Sequence, residues 1–226
     1  MKRKGYAQVE PNHLSAQYTA QIYAQLPAMT AKTTGEGASV TTTYTPIEQL
    51  ENGQFLKYNY AAGRAGVDGD GEWMLVYNEE KLYDERYQNH RYFAMKASDM
   101  SDGKIYPRLL KTNIGDIFTT NAFKNSASGA NTPPSVSSPE QTINMADLAI
   151  GDYVVIGNDG WLVKATGSSK PGTGIVFQVV PHFTQINDDG SVDPSYEAKT
   201  IGSETVNVYN YTLADMQDAV KLQRIQ

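Results

Sequence analysis

The clearest alternation of apolar and turn positions runs from Gly151 to Val180. Tyr153-Val154-Val155-Ile156 is a β-branched and aromatic run, Trp161-Leu162-Val163 is a second, and Gly174 to Val180 is a third. Gly157-Asn158-Asp159-Gly160 separates the first two with residues that tolerate positive φ, which predicts a β-hairpin. Thr166 to Gly172 has loop composition, so the third run should follow as the last strand of a meander. A meander buries one face and needs a second layer against it.

The same reading extends along the chain. Gly53 to Tyr60 predicts a strand, and Trp73 to Tyr77 a second one, fully buried because its apolar run is continuous. Glu79 to His90 is charged, with Leu82 and Tyr83 on a short helix. Tyr92 to Met95, Ile105 to Leu110 and Asp116 to Thr120 read as further strands. Val206 to Tyr211 alternates, and so does Val220 to Ile225, so the chain should end tied into a sheet. Leu213 to Val220 reads as a short helix or an irregular loop.

Residues 1–50 read differently. Ala16, Tyr18, Ala20, Ile22, Ala24 and Leu26 alternate with polar neighbours and Tyr23, a period of two that favours extended structure. Leu14, Tyr18, Ile22 and Leu26 also have helical spacing, and Pro27 ends either element. Ala28 to Pro46 is rich in Thr, Gly and Ala with little apolar content, which predicts a loop or arm. The expected organisation is an N-terminal arm (1–50), a β domain (51–123), a low-complexity linker or insertion (124–144) and a second β region (145–226) that can form one body with the first. The linker's Asn, Ser, Gly and Pro cannot bury enough apolar area to offset ordering entropy. The fold class is all-β, mainly antiparallel and sandwich- or barrel-like, with an extended arm and little helix.

Composition narrows the function classes. A chain of 226 residues buries roughly 70% of its unfolded surface, enough for a real core. The net charge of −6 disfavours nucleic acid as a partner. With no cysteine there is no disulfide and no thiolate metal site. No apolar run approaches the length of a membrane span, so no membrane partner is expected. Met1-Lys2-Arg3-Lys4 has signal-peptide charge, but residues 5–12 add no apolar segment, so the chain is expected to stay in the cytoplasm where it is made.

Candidate chemistry is sparse. Asp68-Gly69-Asp70-Gly71-Glu72 resembles the start of a calcium loop, but Trp73 stands where the sharp-turn glycine belongs and a strand follows, so an acidic hairpin loop is the better reading. Asn187 to Asp193 reads as a turn. His13, His90 and His182 lack zinc-binding spacing, and no serine-hydrolase elbow or phosphate-binding loop is present. No catalytic, cofactor or metal residues are assigned, and no enzymatic activity is expected. Tyr83 to Phe93 crowds aromatics and charges and suits either an interface or ordinary sheet packing.

Several blocks carry a resemblance: QYTAQIYAQLP at 17–27, LENGQFLKY at 50–58, GEWMLVYNE at 71–79, PRLLKTNIGDIFTT at 107–120, the Gly151-Asp152-Tyr153 start of the meander, and Val220 to Ile225. They resemble head structural proteins of tailed bacteriophages, of the capsid decoration (cement) type. The loop near 30–46 and the linker look like insertions. The resemblance implies a virion protein on the outer capsid surface that binds the assembled shell and stabilises it. Its implied partners are the major capsid protein and further copies of itself on the capsid lattice. The interface residues it suggests are Lys2, Arg3, Lys4, Tyr18, Ile22, Tyr23, Leu26, Tyr87 and Tyr92. Deleting residues 1–27 would then remove capsid binding and leave the body folded. A carbohydrate-binding head fibre or adhesin, and a phage glycan-degrading enzyme, are the alternatives.

Overall fold

The computed structural model of the chain describes residues 9–15, 22–23, 26–35, 40–69, 71–77, 83–84, 89–90, 94–123, 148–180, 196–201, 204–209 and 219–226. Strands β1 (Val9–His13), β2 (Ile22–Tyr23), β3 (Met29–Thr34), β4 (Thr41–Pro46) and β5 (Gln49–Glu51) come from the N-terminal segment and its junction. β6 (Phe55–Asn59), β7 (Arg64–Gly66), β8 (Trp73–Val76), β9 (Tyr83–Asp84), β10 (Asn89–His90), β11 (Ala94–Lys96), β12 (Leu109–Leu110) and β13 (Ile117–Thr120) follow. β14 (Tyr153–Ile156), β15 (Leu162–Lys164), β16 (Val176–Val179), β17 (Tyr196–Ile201), β18 (Glu204–Tyr209) and β19 (Val220–Arg224) complete the chain. The all-β expectation is met, and every named strand pair is antiparallel.

Two sheets form the body. One has six strands in the order β1-β13-β19-β16-β14-β15, the other five in the order β2-β12-β8-β6-β7. The period of two divides their side chains between two cores. Phe55, Leu75 and Leu110 of the five-stranded sheet join Phe118, Val154, Leu162, Phe177 and Leu222 of the six-stranded sheet in one cluster. Their sequence neighbours Leu56, Met74, Val76 and Leu109 point the other way, into a second cluster with Leu50 of β5 and Met95 of β11. The five-stranded sheet is therefore buried on both faces, which is why Trp73 to Tyr77 is continuously apolar. The main core centres on three phenylalanines: Phe177 lies 5.6 Å from Phe55 and 5.4 Å from Phe118, centroid to centroid.

Backbone contacts also tie the sheets together. The Phe55 amide donates to the Gly160 carbonyl at 2.7 Å, so the β14–β15 turn seats directly on the start of β6. Gly160 has φ of +83°, and a Cβ there would overlap the Phe55 carbonyl. Only glycine meets both conditions.

Four sequence expectations change. The Gly151–Val180 strands are not a meander, because β16 returns to the free side of β14 and leaves β15 at the edge. The long β15–β16 loop permits that crossing. Most of the described residues in 28–46 are strand rather than loop: β3 and β4 form a six-residue antiparallel ladder from Met29↔Pro46 to Thr34↔Thr41. β-Branched threonines supply strand preference without apolar content, so a segment of low hydrophobicity still forms strands. In place of a short helix over Glu79–His90, the described residues there are strand pairs, Asn89↔Asp84 and His90↔Tyr83. Finally, described parts of the N-terminal segment are built into the body rather than standing off it as an arm. β1 pairs with β13 and β2 with β12, while Val9 and Leu14 are buried in the main core. β13, from the first β block, lies between β1 and β19 in the sheet that also holds β14 to β16. Residues 124–147, which include the linker (124–144), residues 181–195 and 210–218, and the expectations placed on them, lie outside the described residues.

Candidate interaction surface

The most developed surface feature is the β3–β4 hairpin and the clamp at its base. Thr30, Lys32, Thr33, Thr34 and all of Thr41–Thr45 are exposed, whereas Met29, Ala31 and Pro46 near the body are half-buried. Thr33 and Thr42 hydroxyls meet at 3.3 Å across the ladder, and the Thr43 hydroxyl donates to the Lys32 carbonyl. The root is held by the Ala65 amide donating to the Pro27 carbonyl and by the Ile47 amide donating to the Ala28 carbonyl.

Arg64 is the clamp. Its side chain is only 6% exposed, and its Nη1 and Nη2 donate to the two Asp68 carboxylate oxygens at 2.9 and 2.5 Å. This two-point geometry is the strong form of the arginine–carboxylate pair. Nη1 also donates to the Met29 carbonyl of β3 at 3.2 Å, and the guanidinium lies 4.9 Å from the centroid of the Tyr44 ring of β4. One cation thus touches both strands of the hairpin, through a carbonyl and through an aromatic face. Its buried Nε has no hydrogen-bond partner, so the clamp accepts an unsatisfied donor for this position. Gly66 leaves the space: a Cβ there would overlap the Met29 carbonyl and crowd Arg64 Nη1.

The Asp68 carboxyl is held below its ordinary pKa, first by the Arg64 hydrogen bonds; burial opposes this, and the Ala31 amide of β3 assists. A group with a depressed folded pKa contributes full stability above the ordinary value near 3.8 and loses it as the pH falls through the lower folded value. The partly exposed carboxylate is screened, so the effect is local. Relative to the intrinsic rate at each pH, hydrogen exchange of the β3 and β4 amides should therefore accelerate more than that of β16 as the pH falls from about 5 through 3.8 and below. Asp68→Asn should produce the same selective acceleration at pH 7. Equal responses in β4 and β16 would remove Arg64–Asp68 as the anchor.

Three of the sequence-derived site residues, Ile22, Tyr23 and Leu26, lie among the described residues. Ile22 and Tyr23 pair through their backbones with Leu110 and Leu109 at the edge of the five-stranded sheet. Leu26 is half-buried in the bend before Ala28. Lys2, Arg3, Lys4, Tyr18, Tyr87 and Tyr92 lie outside the described residues. Asp68, first met as the start of an acidic loop, serves the clamp; Glu72 instead pairs with Lys111 at 3.0 Å and with Arg224 at 3.5 Å. Among the described residues no three His, Asp or Glu side chains group as a metal site would, and no helix is long and apolar enough to cross a membrane. Arg64 and Tyr44 were missed because each looks ordinary in sequence, and nothing local marks the 20-residue separation as a contact.

The fold and this surface define an all-β protein: a two-sheet body carrying a clamped, exposed hairpin. Comparison with family models, curated proteins and solved structures finds no match to the chain.

Proposed function

We propose that the protein is a structural component of a tailed-bacteriophage virion that binds the assembled capsid and stabilises it. The sequence blocks that resemble phage head proteins supply the class. The observation that best supports a binding role is the β3–β4 hairpin, held by Arg64 on a body whose central sheet is buried on both faces. A packed body with an anchored, exposed ribbon is suited to gripping other protein, since a ribbon already paired and anchored has less conformational freedom to lose on binding. A ligand that binds only the assembled lattice shifts assembly toward that lattice, and repetition over a shell multiplies weak contacts. The negative net charge suits an outer surface better than one facing packaged DNA.

The test is its presence on purified mature particles, in a copy number that scales with the capsid subunits, and a rise in capsid melting temperature when purified protein is added back. Absence from mature particles would remove the reading. Truncations separate binding from folding. Removing residues 1–8 leaves β1 intact and should preserve the body's melting temperature while testing Lys2, Arg3 and Lys4 for capsid affinity and its salt dependence. Removing residues 1–27 deletes β1, β2, Val9 and Leu14, and should lower the melting temperature of the isolated protein by about 10 °C or more, about 3–5 kcal/mol for two buried side chains and a sheet edge. An unchanged melting temperature would show that β1 does not support the core.

A further inference from the structure

We infer that the outer edge of β4 is a self-pairing edge, which joins a second copy of this chain antiparallel through β4 of each. The inference stands independently of the virion reading. Several other sheet edges are blunted or covered. β1, at one end of the six-stranded sheet, carries Pro11 and a register break between Pro11 and His13, both of which spoil pairing. β15, at the other end, has three residues, and β2 has two. β7 is covered by the segment entering β3, through the Ala28↔Ala65 bridge and the Ala65-to-Pro27 hydrogen bond. β17 and β18 bear Glu197, Lys199 and Glu204.

β4 has none of these protections before its last residue, Pro46. Thr41 to Thr45 are exposed at five consecutive positions, and among the described residues only β3 pairs with the strand. From Val40 to Ile47 no side chain is charged, in a protein whose net charge is −6. Net charge opposes association of two copies in general, but edge-to-edge approach at β4 brings no like charges opposite each other. The neighbouring strand β3 carries Lys32, which would meet its own copy if β3 were the pairing edge.

Self-pairing also has a favourable register. Centred on Thr43, it sets Thr43 against Thr43 of the second copy, Thr42 against Tyr44, and Thr41 against Thr45. β-Branched residues then face β-branched or aromatic ones, the pairs that stabilise antiparallel ladders. Tyr44 is 45% exposed, with one side on Arg64 and the rest free for such a pair. The product is a four-stranded sheet, β3-β4-β4-β3, where an isolated two-stranded ribbon is marginal in water. The arrangement closes about a two-fold axis and cannot propagate. The buried area is small, so the dimer is weak in solution and is reinforced where copies are held side by side.

The absence of cysteine gives a direct test on the full chain. Thr43→Cys places one thiol at the axis, where antiparallel neighbours have Cα atoms within disulfide range. Under mild oxidation it should form a disulfide dimer at least tenfold faster than Ile114→Cys, an exposed site elsewhere, and faster than Thr45→Cys, whose opposite number is Thr41. Thr43→Glu sets two carboxylates face to face across the axis while facing Lys32 within its own hairpin, and should weaken concentration-dependent dimerisation, followed by sedimentation, about tenfold with an unchanged melting temperature. Equal crosslinking at all three cysteines, or a Thr43→Glu protein that dimerises like the parent, would overturn the inference. So would a parent that stays monomeric at millimolar concentration; loss of capsid binding by Thr43→Glu would then make the occupant a capsid strand.

Discussion

Phe177→Ala should lower the stability of the protein by about 3–5 kcal/mol, the usual cost of deleting a fully buried aromatic ring. Phe177 is completely buried and its ring touches those of Phe55 and Phe118, one from each sheet. Its position in β16 lies beside Val154 of β14 and within the sheet that holds β19. Neighbouring strands fix the backbone on both sides, so the cavity cannot close by local collapse. For a chain of this size the change should appear as a fall of roughly 6–20 °C in melting temperature. Ile114→Ala, at a site 73% exposed, should change stability by no more than about 0.5 kcal/mol. Similar shifts in the two variants would mean that the three-ring cluster is not the centre of the core.

Gly160→Ala should cost about 2–5 kcal/mol, a large effect for one methyl group. Two terms contribute. A left-handed φ of +83° costs an L-residue roughly 1–2 kcal/mol. The new Cβ would also overlap the Phe55 carbonyl, and relieving that contact moves β6 against the core, a further cost of about 1–3 kcal/mol. Gly167 separates the terms: its φ is +86°, but nothing lies within 4 Å of its Cβ position. Gly167→Ala should therefore show the conformational term alone. Equal destabilisation of the two variants, measured by denaturant titration, would show that the turn does not press on β6.

Much of the body was legible in the sequence. Residues 55–59, 73–76, 117–120, 153–156, 162–164 and 220–224 are strands where β-branched and aromatic runs predicted them. The prediction held there because the period of two matches a buried face, and burial decides register. The β3–β4 hairpin was not legible in the same way, since Thr30 to Thr45 offers almost no apolar residue to reveal a face. Its ladder rests on backbone hydrogen bonds and β-branched side chains, and its orientation on one arginine 20 residues from Tyr44. The candidate surface was legible only as parts: Asp68 as an acid in a loop, Thr41 to Thr43 as a polar run.

Local chemistry by itself established that this is an all-β chain, where most of its core strands run, and that its end is a strand. These follow from side-chain shape and alternation within a few residues. Strand order belonged to the folded molecule: that β16 crosses to the far side of β14, that β1 closes a sheet with β13, and that Leu56 and Phe55 serve different cores. Those are choices among pairings of nearly equal local merit, settled by which arrangement covers the five-stranded sheet on both faces. The clamp at Arg64 has the same origin, because a guanidinium can bind a carboxylate, a carbonyl and an aromatic ring together only after three strands have met.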